Sequence, residues 1–200
     1  MKHFFFLLLI FLFSACNQQE NSIVERSWGS MKGLDKLVGN MNDTSYSSIR
    51  SQPPRFNAYD TAVPIEHYEG KFLWTEYAAS WCKVCKSQAP QVRRVQAQLK
   101  DSISFITIMT AESTRYGDHG TVKSAMLWAS QNQLDPKHVF AAKLWHKTIP
   151  EHRLFSPEGH TLFVHVGYLS AQQILEIIDY YKNGWESYQA NGDAPEWMHF

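Results

Sequence analysis

The sequence predicts an α/β protein with a central mixed sheet flanked by helices. Three observations carry that expectation. Two apolar runs of strand length, "FLWTEYAAS" (72–80) and "ISFITIMT" (103–110), are rich in aromatic and β-branched residues. Segments with helical spacing of apolar residues alternate with them, at 82–99, 121–135 and 170–184. Between the last two lies a strand–turn–strand, "EHRLFS", "PEG", "HTLFVHVG". Strands joined through helices run parallel and hairpin strands run antiparallel, so the sheet is mixed and both of its faces are covered.

The elements follow in chain order. Lys2, a run of ten apolar residues from Phe4 to Phe13, and the small residues Ser14 and Ala15 precede Cys16. This is the layout of an export signal, too short to span a bilayer as a mature helix. The placing of Cys16 resembles a bacterial lipoprotein signal, which implies residues 1–15 as signal peptide and lipidation of Cys16, although Phe13 departs from the aliphatic residue preferred there. Residues 16–50 are rich in Asn, Ser, Gln and Gly and read as a tether, with a reach on the order of 30 Å. A domain is expected over 51–184. Its first buried strand is 72–80, followed by a helix from Cys82 to Leu99 with Val84, Val92, Val95 and Leu99 toward the core. After the strand 103–110 and the loop "AESTRYGDHG", a helix is expected with Val122, Ala125, Met126 and Ala129 on one face. "KHVFAAKLWHK" fits a short strand or a helix. The hairpin turns at Pro157 and Gly159. The last helix has Ser170 as its N-cap and Gly184 beyond its end, leaving 185–200 as an aromatic tail. Trp185, Tyr188, Trp197 and Phe200 in that tail are expected to pack back on the domain rather than to form a partner surface.

Composition narrows the function. Nineteen basic and nineteen acidic side chains cancel, so nothing indicates a nucleic-acid partner. Of three cysteines, assigning Cys16 to lipid leaves Cys82 and Cys85, spaced Cys-x-x-Cys at a strand-to-helix junction. A metal clip, a structural staple and a reacting dithiol all fit the bare spacing. Two thiolates are an incomplete zinc ligand set, and His67, His119, His138, His146, His152, His160, His165 and His199 show no ligand spacing; they are expected at the surface or hydrogen-bonded. A four-residue loop constrains the unfolded chain little, which weakens the staple. The redox reading has a direct cause: unpaired N–H groups and the dipole at a helix start favour a thiolate on Cys82, with Lys83 adding positive charge, while Cys85 lies one turn in, placed to resolve a mixed disulfide. Trp81 shields the sulfurs or offers a docking surface.

Here the sequence resembles the thioredoxin superfamily, and within it the exported TlpA/ResA/DsbE-like thiol-disulfide oxidoreductases. "AASWCKVCKSQAP" is similar to the family's Trp-Cys-x-x-Cys segment, including Pro90 after the second cysteine, and "TIPEHRLFSPEGHTLFVHVGYLS" (148–170) is similar to its cis-proline segment and hairpin. The similarity covers about residues 55–183. It implies a thioredoxin-like fold with a helical insertion, residues 111–137, after the second core strand. It implies a redox-active Cys82–Cys85 disulfide, a cis-proline at Pro150 beside it, and an Ile149 backbone that pairs with an extended client segment. It places Glu76 where thioredoxins bury an acid, and a desolvated carboxyl is expected to have a raised pKa and to take the Cys85 proton.

The resemblance implies a membrane-tethered, extracytoplasmic enzyme on the periplasmic face of a bacterial membrane. It would need no metal or other cofactor, draw electrons from a membrane thiol-disulfide donor, and act on exported cysteine-containing proteins. Lys83-Val84 matches neither the thioredoxin dipeptide nor that of strong oxidants, and Ile149 resembles the reducing members, so a reductase is expected. An oxidase or isomerase running the same site in the opposite direction, and a metal-handling or redox-sensing module, are the alternatives.

Overall fold

The computed structural model describes residues 55–99, 102–115, 117–142 and 148–198. The segments expected as signal peptide and tether, with Cys16, lie outside these residues. In chain order the elements are β1 (Arg55–Asn57), β2 (Ala62–Val63), a 3-10 turn (Ile65–Tyr68), β3 (Leu73–Ala78), α1 (Lys83–Leu99), β4 (Ser104–Met109), α2 (Val122–Asn132), a 3-10 turn (Pro136–His138), β5 (Val139–Ala141), β6 (Glu151–Phe155), β7 (Thr161–Val166) and α3 (Ala171–Asn191).

The strands form one sheet in the order β2-β1-β5-β4-β3-β6-β7. β3, β4 and β5 run parallel, joined by α1 and α2; β6 is antiparallel to β3, and β7 to β6. The segment 111–137 is therefore the crossover that lets β5 lie beside β4 in the same direction, as parallel pairing demands. "KHVFAAKLWHK", ambiguous in sequence, supplies β5, with Val139 and Phe140 buried in separate clusters on opposite faces.

β3 is buried almost throughout, and Trp74, its second residue, is fully enclosed, as are Trp128, Phe140 and Phe163. Burying a side chain of this size contributes roughly 2–3 kcal/mol. α1 buries Cys85, Gln88, Ala89, Val92 and Val95 but leaves Val84 exposed, correcting the expected inner face at its first turn. Pro90 lies inside this helix on its exposed side, where loss of one N–H is borne without burying an orphan carbonyl.

α2 opens on a capping box between Thr121 and Ser124. Its buried face is Ser124, Ala125, Trp128 and Ala129, whereas Met126 is half exposed. The expected Val122–Met126 face is thus rotated, because Trp128 takes the core position and packs in the cluster that contains both cysteines. Ahead of α2, Gly120 donates its N–H to the Ala142 carbonyl at 3.0 Å, and a Cβ there would sit 1.8 Å from the Met109 carbonyl oxygen. Only glycine lets the loop lie backbone to backbone across the ends of β4 and β5.

α3 has Ser170 as N-cap in a capping box with Gln173, as expected, but runs on through Gly184 to Asn191, with Gly192 in the left-handed cap. Residues 185–191, set apart as tail, continue this helix. Gly184 does not end it; a Cβ on Gly184 would lie 2.9 Å from the Trp197 ring, so the glycine admits that indole. Trp197 also meets the Tyr181 ring at 4.8 Å, and Trp185 is buried, so both tryptophans pack back on the domain.

Candidate active site

β3 ends at Ala78 and α1 begins at Lys83, so Cys82 is the residue just before the first helical turn. Cys82 and Cys85 form a disulfide, with Cα atoms 5.3 Å apart. The Cys85 N–H donates to Cys82 Sγ at 3.1 Å: the sulfur occupies the place of an N-cap acceptor, where it meets one of the helix's unpaired donors. The arrangement suits a thiolate at Cys82 better than a neutral thiol. Cys82 is 7% exposed and Cys85 fully buried, so one sulfur meets the outside and the other faces the core. Ala78, Ala79, Met109, Trp128 and half-buried Ile149 pack in the same cluster. Trp81 and Val84 stand exposed beside the pair.

The Ile149–Pro150 peptide is cis, and Pro150 is buried. Its carbonyl accepts from the Gly167 N–H at 2.9 Å, which fastens the start of β6 to the end of β7. Two residues on, Leu169 is held by Gln88 of α1, one turn past Cys85: Leu169 N–H donates to Gln88 Oε1 at 2.7 Å and Gln88 Nε2 donates to the Leu169 carbonyl at 2.9 Å. The amide matches a peptide unit with one donor and one acceptor. Through Gln88, Leu169 and Gly167, the cysteine-bearing helix and the proline loop are linked by hydrogen bonds.

Glu76 is fully buried on β3, two residues before Ala78, so its side chain leaves the same face one pleat below the cysteines. Thr107 Oγ1 donates to Glu76 Oε2 at 3.3 Å, while Glu76 Oε1 has no partner. Burial pushes the carboxyl up to about 8, and the Thr107 hydrogen bond pulls weakly the other way.

Sequence reasoning missed the company Glu76 keeps. Glu76 pairs in register with Thr107 on β4 and with His152 on β6, and His152 pairs with His165 on β7. His152 is fully buried, contrary to the surface or hydrogen-bonded place expected of it: neither ring nitrogen makes a hydrogen bond. The Gly167 backbone lies near enough to favour its protonated form, short of hydrogen-bond geometry, but burial and the neighbouring His165 dominate and push His152 down to about 3. The signal was in the alternation. His152 shares strand parity with Leu154, and His165 with Phe163, so the hairpin turns both imidazoles to the face that buries those apolar residues.

Among the described residues no group of three His, Cys, Asp or Glu side chains is placed to hold a metal ion, and no helix is long and apolar enough to cross a membrane.

No family model matches the chain. Among curated proteins it is 33% identical over 58 residues to the chloroplastic thioredoxin-like protein HCF164 of Arabidopsis thaliana, a match over 28% of this chain and 22% of the plant protein. The Oryza sativa counterpart is 35% identical over 57 residues, 28% of this chain and 21% of that protein. The chain thus spans about a fifth of the length of the curated relatives it matches. Solved structures share its fold more widely. A thiol:disulfide interchange protein of the thioredoxin family from Chlorobium tepidum superposes with a TM-score of 0.53 at 18% identity, over 66% of this chain and 97% of that one. A secreted thiol-disulfide isomerase from Corynebacterium glutamicum gives 0.55 at 13%, over 73% and 90%. A secreted Mycobacterium tuberculosis disulfide oxidoreductase homologous to E. coli DsbE gives 0.53 at 14%, over 68% and 99%. The fold is thioredoxin-like.

Proposed function

We propose that this thioredoxin-like chain is an extracytoplasmic thiol-disulfide oxidoreductase that reduces disulfides of exported proteins, held to a membrane by lipid on Cys16. The observation that carries the reading is the Cys82–Cys85 pair, with Cys82 at the helix start and slightly exposed and Cys85 fully buried. The structure holds the oxidised form.

In the reduced form, the Cys82 thiolate attacks a client disulfide, forms the Cys82–client bond and expels one client thiolate. Cys85 then gives its proton to the Glu76 carboxylate, attacks Cys82 sulfur, and expels the second client thiolate as the Cys82–Cys85 bond closes. Two electrons pass to the client. A membrane dithiol donor restores the reduced form by the reverse exchange. Burial raises Glu76 to about 8, which makes its carboxylate a stronger base for the Cys85 proton than an ordinary carboxylate. Trp81 and Ile149 flank the sulfurs and are assigned to client docking, with Pro150 shaping the loop that presents Ile149.

Three of the solved relatives are described as interchange protein, isomerase and oxidoreductase, which supports disulfide exchange but names no direction. The experiment is a trap combined with a potential. Cys85→Ser should accumulate mixed disulfides with exported cysteine proteins and Cys82→Ser should accumulate none. A reduction potential near that of thioredoxin supports the reductase, and one near the strong oxidants, roughly 150 mV higher, assigns the opposite direction. Failure of the reduced wild-type domain to cleave any model disulfide would remove the reading altogether.

A further inference from the structure

A proton accepted by Glu76 has to leave a fully buried site, and the sheet supplies a line of titratable groups leading away from it. Glu76, His152 and His165 are consecutive register partners on β3, β6 and β7, and their side chains share the face that α1 and α3 cover. Directly opposed residues hold their Cβ atoms about 4.5–5.5 Å apart, within reach of each other by rotation about the side-chain bonds. The two imidazoles lie nearly parallel, at 18°, with ring centroids 6.4 Å apart.

The hydrogen-bond pattern singles out the same line. Glu76 Oε1 and both nitrogens of His152 are buried without partners. Leaving such groups unpaired costs more than an apolar replacement of similar shape, so packing alone gives no reason for a carboxyl and an imidazole to be paired in register here. β7 is the last strand of the sheet, and His165 retains 8% exposure.

We propose that His152 and His165 form a proton relay for Glu76, carrying the proton of the Cys85 thiol from the buried carboxyl across the sheet to solvent at the β7 edge. The inference rests on the exchange reaction proposed above and adds its exit. Each hop moves one proton. Cys85 passes it to the Glu76 carboxylate. Glu76 passes it to one ring nitrogen of neutral His152, which becomes imidazolium. His152 passes it to neutral His165, which releases it to water. Charge is conserved at each hop, and Glu76 is returned to the carboxylate that received the thiol proton, with both rings neutral.

Few other groups compete. Among the described buried residues of α1 and α3, the helices packed on this face, Tyr181 is the one titratable side chain besides Cys85, and it meets Phe163. On β6 itself Glu151 and Arg153 are paired with each other and have the opposite strand parity from His152. Trp74, whose ring meets His152 in a tilted contact at 5.6 Å, has no acid–base role. Burial holds His152 neutral at rest, so it carries the proton in transit and does not store it.

The test is single-turnover kinetics on the full chain, timing the first attack by Cys82 and the release by Cys85 separately in a weak buffer. His165→Gln, at the sheet margin, and His152→Gln should each slow release about tenfold while leaving the first attack within about twofold. Glu76→Gln/His165→Gln should be no slower than Glu76→Gln alone, and small diffusible bases such as imidazole should restore part of the lost rate in His165→Gln. Packing damage would not respond to added base. Release at the wild-type rate in a folded His165→Gln variant, or a penalty that multiplies with that of Glu76→Gln, would overturn the relay. Wild type that reduces model disulfides while both histidine variants match it removes the relay and leaves the oxidoreductase standing; wild type that performs no exchange removes both.

Discussion

At the residue scale the informative side chain is Glu76. Its carboxyl is raised from an ordinary 4.5 to about 8 by burial, so folding disfavours its ionised form. Below about pH 4.5 the group is protonated in both folded and unfolded chains and costs nothing. Between 4.5 and 8 the unfolded chain releases the proton first, so the oxidised domain loses stability as pH rises, by roughly 5 kcal/mol if the whole shift is expressed. His152, lowered from 6.5 to about 3, acts in the other direction: the unfolded chain binds its proton first, and stability falls as pH drops from 6.5 toward 3. Glu76→Gln should therefore make the oxidised domain more stable at pH 8.5 than wild type while leaving the two alike near pH 4, measured by denaturant unfolding. Parallel pH profiles would show that the carboxyl is solvated. The burial of this residue was legible, since a glutamate inside "FLWTEYAAS" conflicts with the strand around it. The imidazole opposite was not, because which residue of β6 faces Glu76 depends on register set by a hairpin some eighty residues away.

At the element scale, local signals placed beginnings better than ends. Ser170 announced the start of α3 because an N-cap acts on the next three residues and needs nothing distant. Gly184 imitated a stop signal, yet its absence of a side chain serves Trp197, which sequence places well beyond the helix. Two effects of opposite sign therefore meet at this position. Alanine is a better helix former by about 1 kcal/mol, but its Cβ would collide with the indole. Gly184→Ala should lower thermal stability in the wild-type background and raise it in a Trp197→Ala background. A cycle in which the substitution has the same sign in both would separate the glycine from the indole. α2 makes the same point about faces: Met126 and Trp128 are both apolar and two residues apart, and only tertiary packing in the cluster that holds the cysteines decides which turns inward.

At the scale of the whole molecule, the fold was readable because two separated segments, around Cys82–Cys85 and around Pro150, each carry a local signature, and the order of strands and helices between them admits few topologies. The joining of the halves was not readable: the Gln88 clamp on Leu169 spans 81 residues and shows no periodicity in either segment. The proposed anchor belongs to this scale as well. Cys16→Ser should leave an unprocessed or mislocalised precursor and shift the protein out of the membrane fraction; unchanged processing and fractionation would detach the lipid from the function. The burial of Cys85 bears on traffic through the proposed exchange reaction. In the proposed reaction Cys82, 7% exposed beside a fully buried Cys85, is the one sulfur that partners reach, so client and electron donor use the same doorway and neither is served while the other stands in it. Turnover is then a strict alternation without a ternary complex, which gives parallel double-reciprocal plots, and each partner at high concentration holds the other off. With the proposed anchor and membrane donor, the supply of electrons and the crowding of clients would be set by how long Cys82 stays occupied.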